Sequence, residues 1–188
     1  TTPTALRHDA GLAAAKVNVF LRQLVEKSGG VATVGCIEFK PNAINVIPSK
    51  AVFTVDLRNP DKEKLDNDEK ILAAYLKDLA KEDDVKISTE HLTEFDPVPF
   101  DEGIVEKVEK AAKAHGLSVR RITSGAGQDA QMIARICPTA MIFVPSVKGI
   151  SHNPEEYTKD EDVLAGAGVF LDVVMDMAVV GVPAARNN

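Results

Sequence analysis

The stretch FDPVPFDEG, at Phe95–Gly103, divides the chain into two parts with different hydrophobic patterns. It contains two prolines and three acidic residues and interrupts both helical and strand periodicity, which is typical of a boundary between folding units. A chain of 188 residues has room for one large domain or two small ones. We therefore predict an α+β domain over residues 1–100 and an α/β segment over residues 101–188.

Two helices and an antiparallel sheet are predicted in the first part. Apolar residues spaced by three and four predict helices over Asp9–Lys27 and Asp61–Lys81. Alternating patterns rich in β-branched and aromatic residues predict strands over Val31–Phe39, Ala51–Arg58 and Val85–Phe95. An α+β sandwich, with both helices on one face of the sheet, accommodates this order of elements.

The second part has the alternating helix and strand order of an α/β protein. Helices are predicted over Asp101–His115 and Asp129–Ile136, strands over Leu117–Thr123 and Thr139–Ser146, and a long helix at the end. A parallel sheet needs several neighbouring strands and helices on both faces. This part supplies too few elements for that, so we predict that it belongs to a larger sheet.

Composition and charge exclude several classes of partner. The net charge is −6 without a basic cluster, which argues against nucleic acid. No apolar run approaches the roughly 18–20 residues of a membrane span, and the N-terminal residues have no apolar signal core. Cys36 and Cys137 form neither a metal motif nor a disulfide framework, so we expect two reduced, buried thiols in a cytoplasmic protein.

The sequence SGAGQDAQ, at Ser124–Gln131, is a candidate ligand-binding loop between a strand and a helix. Its two glycines allow the backbone to approach a ligand closely, and the N-terminus of the following helix favours negative charge. A tight strand–helix turn, with Asp129 capping the helix, explains the same residues without a ligand. Both interpretations remain open at this point.

The sequence GISHNPEEY, at Gly149–Tyr157, is the second candidate loop. It follows a predicted strand, and ligands of open α/β sheets bind beyond the carboxyl ends of the strands. His152 could bind a metal, although a catalytic zinc needs about three protein ligands, and an ordinary polar role is the alternative. The neighbouring pair Glu155–Glu156 is predicted to be solvated surface.

Arg58 is a candidate for recognising a carboxylate. The strand pleat places Arg58 and Asp56 on the same polar face of the predicted sheet. A guanidinium can hold a substrate carboxylate through two parallel hydrogen bonds. A salt bridge with Asp56 is the alternative. Asn45, in the loop between the first two strands, is the remaining polar candidate.

Several motifs in the same order resemble one enzyme family. The sequences PNAINVIPSKAVFTVDLR, SGAGQDAQMIA and PTAMIFVPSVKGISHNPEEYT, with the final helix, resemble the zinc-dependent amidohydrolases related to aminoacylase and the carboxypeptidase-type metallopeptidases. The most similar subgroup is N-carbamoyl-L-amino-acid hydrolase, with allantoate amidohydrolase and β-ureidopropionase. The resemblance covers nearly the whole chain.

The resemblance implies a fold and a division of roles. Family members are longer than this chain and have an α/β catalytic domain interrupted by an α+β lid that forms a homodimer interface. Residues 1–100 correspond to the lid and residues 101–188 to the closing segment of the catalytic domain. The family's His-x-Asp ligand, its acidic pair with the general base and a further histidine have no counterpart here. We therefore expect the isolated chain to be inactive.

The resemblance also implies roles for two polar side chains of the second part. His152 matches the last ligand of a site that holds two divalent metal ions, zinc or manganese. Gln128 stands where family members usually carry a histidine that contacts the substrate or the tetrahedral intermediate. Glutamine can donate a hydrogen bond but does not titrate near neutral pH.

The remaining matched residues would contact the substrate. Asn45 and Arg58 match lid residues that reach the substrate carboxylate, often in the partner subunit's site. Gly149, Ile150 and Ser151 match the loop beside the substrate.

The implied reaction is metal-dependent hydrolysis of the ureido C–N bond of N-carbamoyl-L-amino acids or a related ureido acid. It would release carbon dioxide, ammonia and the amino acid. Three alternatives remain: a non-catalytic dimerisation or ligand-binding module, an allantoate amidohydrolase, and an N-acyl-amino-acid deacylase or peptidase. Neither nucleic acid nor a membrane is an expected partner.

Overall fold

The computed structural model describes residues 2–180 and the side chains up to residue 178. The chain forms two compact units, Thr1–Pro97 and Val98–Asn188. The boundary between the two units lies within the segment Phe95–Gly103, where the sequence predicts it. The roles of the two parts as a lid and a catalytic segment stay predictions.

Two long helices form most of the first unit. Helix α1 spans Ala10–Ser28 and helix α2 spans Lys62–Glu82, close to their predicted ranges, and a 3₁₀ turn precedes α1. Asp9 and Asp61 cap them, because each carboxylate accepts two main-chain N–H groups of the first turn. Gly29 caps the C-terminus of α1, and its φ of 80° is a conformation that glycine adopts without strain.

Four short strands pair into two antiparallel ladders. They are β1 (Val31–Thr33), β2 (Ile37–Lys40), β3 (Lys50–Phe53) and β4 (Asp56–Arg58). Strand β1 pairs with β4 and strand β2 pairs with β3. Thr33 faces Asp56 and Ile37 faces Phe53, so residues 34–36 lie opposite residues 54–55. This is a β-bulge, and it divides each predicted strand in two.

The core of the first unit lies between the helices and the hairpin. Ala13, Val17, Leu21 and Leu79 are buried together. Phe53, Leu72, Tyr75, Leu76 and other partly buried apolar residues surround them. Ile71, which belongs to the apolar residues of α2 spaced by three and four, is 39% exposed. It lies at the edge of this apolar stripe, next to Leu72, which packs against the core.

The predicted third strand, Val85–Phe95, is not present as a strand among the described residues. Val85 and Ile87 pack against the core, whereas Lys86 and Ser88 are exposed, so the alternation holds for these four residues. Beyond them it fails, because Leu92 and Phe95 are 72% and 52% exposed. A strand also needs a main-chain partner, and the hydrophobic pattern carries no information about that partner.

The second unit consists of helices and extended segments. Helix α3 spans Glu102–Ala114, α4 spans Asp129–Ile133 and α5 spans Asp160–Val180. Helices α3 and α5 pack together, burying Val169 and Val173 of α5. The described part of this unit thus has the predicted long helices, while α4 is shorter than predicted.

The two strands predicted in the second unit are absent from the described residues. Residues 117–123 and 139–146 form no ladder with each other or with another segment. The sequence identified segments with strand composition, but a parallel strand forms only beside a neighbour. The fold shown is therefore mixed, with small antiparallel sheets and helices, and the parallel sheet is a prediction.

The prediction that both cysteines are buried is wrong. Cys36 and Cys137 are free and exposed. Cys36 lies in the β-bulge, and Cys137 follows the short helix α4. Within the part of the chain that the structure describes, no helix has the length and apolar content needed to span a membrane.

Replacing a core leucine should destabilise the first unit far more than replacing an exposed one. Leu21 is 1% exposed and Leu12 is 52% exposed on the same helix. We expect Leu21→Ala to lower the free energy of unfolding by about 2–5 kcal/mol, because it leaves a cavity in the core. We expect Leu12→Ala to change it by less than about 1 kcal/mol.

Urea denaturation followed by circular dichroism measures both changes. Similar losses for the two variants would contradict the position of the core.

Candidate functional site

The loop that carries His152 is closed by hydrogen bonds at its base. The Val147 N–H donates to the Tyr157 carbonyl at 2.8 Å, and the Ser146 hydroxyl donates to the Ile150 carbonyl. Gly149 follows in the left-handed region with φ of 68°, a conformation that favours glycine. These contacts hold Gly149, Ile150, Ser151 and His152 in one ordered loop.

His152 itself has an unusual backbone. Its φ is 55°, a region that non-glycine residues seldom adopt. Its main-chain N–H donates to the Glu156 carboxylate at 2.7 Å, and the residue is exposed. A strained residue held by its surroundings is a reason to consider a functional role for its side chain.

The sequence did not identify the part that Glu156 has in this loop. Glu156 is exposed, as predicted, and its carboxylate also accepts the His152 N–H. The Asn153 side chain accepts the Glu155 N–H at 2.9 Å and makes the turn between them. The Asn-Pro pair after His152 could have predicted this turn, since an Asn side chain often accepts a main-chain N–H two residues later.

Residues of the described chain do not form a metal centre by themselves. No group of three or more His, Cys, Asp or Glu residues with the arrangement of a metal site occurs among the described residues. His152 could therefore supply one ligand, fewer than the about three that a catalytic zinc site takes from protein. A metal at His152 would need further ligands from elsewhere.

The second candidate loop places Gln128 directly before helix α4. Gln128 is exposed and extended, with φ of −138° and ψ of 154°, and its side chain does not cap the helix. The proposed capping role of Asp129 is wrong, because Asp129 is the first residue of α4. Because α4 has only five residues, its N-terminus provides little of the dipole on which anion binding depends. The Gln128 amide is thus one of the exposed polar groups of this loop.

Arg58 forms a two-pronged ion pair with Asp56. The Arg58 Nε donates to Asp56 Oδ1 at 2.8 Å and Nη2 donates to Oδ2 at 2.5 Å. Both side chains are about half exposed. The hydrogen bonds from Arg58 lower the pKa of the Asp56 carboxyl, and those to Asp56 raise the pKa of Arg58. The alternative of a salt bridge is therefore confirmed, and the role in substrate binding stays a prediction.

The predicted site residues fall on four separate segments. Asn45 is exposed in the loop that joins β2 and β3, and Arg58 ends β4. Gln128 and His152 occupy different loops of the second unit, and no hydrogen bond among the described residues joins their side chains. Gly149, Ile150, Ser151 and His152 share one ordered loop of the second unit.

Residues 5–176 match the sequence profile of peptidase family M20/M25/M40. An N-carbamoyl-L-amino-acid amidohydrolase of Rhizobium meliloti is 40% identical over 180 residues, which are 95% of this chain and 43% of that protein. The allantoate amidohydrolase of Escherichia coli is 36% identical over 183 residues, 95% of this chain and 44% of the relative.

A solved structure has the same fold as this chain over part of its length. It is an amidase of the hydantoinase/carbamoylase family from Burkholderia multivorans, with a TM-score of 0.88 and 38% identity. The match covers 94% of this chain and 44% of that one. The chain thus spans less than half the length of the proteins it matches.

Removing the Arg58 guanidinium should restore the ordinary acidity of Asp56. We expect Arg58→Ala to raise the pKa of the Asp56 carboxyl towards its usual range, because the two hydrogen bonds are lost. The Asp56 pKa is lower in the folded chain than in the unfolded one. The pair therefore stabilises the fold above the unfolded pKa, and this contribution disappears as the pH falls through the folded pKa.

An NMR titration of the Asp56 carboxyl carbon measures this pKa, with Arg22→Ala on the exposed side of α1 as the control. An Asp56 pKa that is the same in both variants would contradict the ion pair.

Proposed function

Because the chain belongs to peptidase family M20/M25/M40, we propose that it forms part of a metal-dependent amidohydrolase acting on a ureido acid. The substrate would be an N-carbamoyl-L-amino acid or a related compound such as allantoate, and the reaction would cleave the ureido C–N bond. The observation that carries the proposal is that relatives 36–40% identical over nearly the whole chain bear the names of enzymes with such substrates.

The activity is proposed for a site that includes this chain and not for the chain alone. The chain spans 43–44% of those relatives, and its described residues supply one metal-ligand candidate. In such a site the metal would polarise the ureido carbonyl and provide an activated water. His152 would be one of its ligands.

Arg58 would recognise the substrate carboxylate. Its guanidinium is a planar fork of five N–H donors, which suits a carboxylate. Asp56 already accepts from Nε and Nη2, so a substrate carboxylate would have to share or replace this partner. Asn45 would add an amide donor. We propose that both residues act from the lid, across a homodimer.

Gln128 would donate an amide hydrogen bond to the oxygen that gains negative charge in the tetrahedral intermediate. A donor placed at that position stabilises the transition state more than the substrate. Unlike histidine, glutamine cannot release or take up a proton near neutral pH. Any proton transfer would therefore depend on another group.

A chimeric enzyme tests the proposed function. In it, this chain replaces the matching 180 residues of the Rhizobium meliloti relative. We expect hydrolysis of N-carbamoyl-L-amino acids or allantoate that depends on added zinc or manganese. Faster hydrolysis of N-acetyl-L-amino acids than of the ureido acids would contradict the proposal and favour a deacylase.

The substitution Arg58→Lys in this chimera tests the carboxylate contact. Lysine keeps the charge but loses the fork, so kcat/KM should fall about 10- to 100-fold, mainly through KM, as expected for a charged hydrogen bond worth about 1.5–3 kcal/mol. The control Arg22→Lys should have little effect. Equal kinetics for the two variants would exclude Arg58 from the site.

A further inference from the structure

The main chain of His152 is held by a side chain to which the proposed reaction gives no role. His152 has a φ of 55°, and its N–H donates to a carboxylate oxygen of Glu156 at 2.7 Å. A left-handed conformation costs free energy in residues other than glycine, so it persists only where surrounding contacts favour it. A hydrogen bond to a carboxylate is roughly twice as strong as one between neutral groups. The Glu156 carboxylate thus stabilises the strained conformation of His152.

A turn between the two residues brings the Glu156 carboxylate back to His152. The Glu156 N–H donates to the Asn153 carbonyl at 2.9 Å, and the Glu155 N–H donates to Asn153 Oδ1 at 2.9 Å. Pro154 occupies the second position of this four-residue turn, which suits its fixed φ. The chain therefore reverses direction directly after His152, and the Glu156 side chain reaches the N–H that it accepts.

Another left-handed residue of the same loop is held in a different way. Lys148 has a φ of 59° and lies in a 3₁₀ turn over Val147–Gly149. The Gly149 N–H donates to the Ser146 carbonyl at 2.9 Å and closes this turn. Main-chain groups therefore hold Lys148, whereas a side chain holds His152.

We propose that Glu156 is a positioning residue for the His152 imidazole. A change in the φ of His152 from 55° to the ordinary helical value of about −63° would turn its Cα–Cβ bond by roughly 120° relative to the preceding peptide plane. A metal ligand must keep its distance to the metal within about 0.2 Å. The imidazole can therefore remain at a metal only while the left-handed conformation is maintained.

The role depends on the proposed function in one respect, which is that His152 binds a metal. It does not depend on the substrate. The effect of Glu156 on the His152 main chain can be measured without metal or substrate, and its effect on metal binding can be measured without a ureido acid.

Amide hydrogen exchange of the 188-residue chain, followed by NMR, tests the contact. Glu156→Ala removes the acceptor. Glu155→Ala is the matched control, because it removes an equal charge from a neighbour that supports the turn through its main-chain N–H. We expect the His152 N–H to exchange at least about tenfold faster in Glu156→Ala than in Glu155→Ala, because a charged hydrogen bond is lost.

Glu156→Gln separates the hydrogen bond from the charge. The glutamine side chain keeps an acceptor oxygen but forms a weaker bond, so the exchange rate should lie between those of the two alanine variants. The Cα and Cβ chemical shifts of His152 should keep their left-handed values in Glu155→Ala and lose them in Glu156→Ala. Equal exchange rates in the two alanine variants would overturn the inference, because His152 would then hold its conformation without Glu156.

Zinc affinity of the chimeric enzyme, measured by competition with a chelator, tests the positioning role. In this enzyme the chain replaces the matching 180 residues of the Rhizobium meliloti relative. We expect Glu156→Ala to weaken zinc binding about 10- to 100-fold, as is usual for partners that orient a metal ligand. Glu156→Gln should restore part of the affinity, and Glu155→Ala should leave it unchanged. Circular dichroism of each variant shows that its helices are retained.

The outcomes separate the positioning role from the proposed function. Equal zinc affinities in Glu156→Ala and Glu155→Ala would overturn the positioning role, even in a chimera that hydrolyses ureido acids. Zinc binding that depends on Glu156, in a chimera that hydrolyses no ureido acid, would support the positioning role and contradict the proposed function.

Discussion

Main-chain pairing is the constraint on which the two units depend. A strand is stable only when its N–H and carbonyl groups find partners, and a parallel sheet must also be covered on both faces. In the first unit, an antiparallel hairpin supplies partners within residues 31–58, and two helices cover one face. The second unit has segments with strand composition but no such partner among its described residues. The first unit therefore has paired strands over a buried core, while the strand-like segments among the described residues of the second unit are unpaired.

The same constraint explains why the candidate site is incomplete. Ligands of α/β proteins bind beyond the ends of paired strands, and the loops of Gln128 and His152 follow segments that are not paired here. The His152 loop is nevertheless ordered by its own hydrogen bonds, including the one to Glu156. The loop can thus present one imidazole, and the residues that would complete a metal centre have to come from outside the described chain.

Helices were predicted from the sequence more successfully than strands. The apolar stripes and the capping residues Asp9, Asp61 and Asp101 are local signals, and helices α1, α2 and α3 begin and end close to the predicted positions. Pairing between distant segments is not encoded locally. The β-bulge that contains Cys36 and the absent ladder at Val85–Phe95 were missed for this reason.

In the candidate site, too, local features were predicted from the sequence and contacts between residues were not. Sequence reasoning identified the two loops from their residue types. It also identified the possible salt bridge between Arg58 and Asp56, because the pleat of one strand places both side chains on the same face. It missed the hydrogen bond between Glu156 and the His152 backbone, which depends on the positive φ of His152. The roles of Asn45, Arg58, Gln128 and His152 in catalysis stay predictions.

Amide hydrogen exchange of the 188-residue chain tests the central claim most directly. The account predicts slow exchange in α1, α2 and the hairpin, and exchange close to that of an unfolded peptide in residues 117–123 and 139–146. Protection of these two segments equal to that of the hairpin would contradict it, because their N–H groups would then be paired.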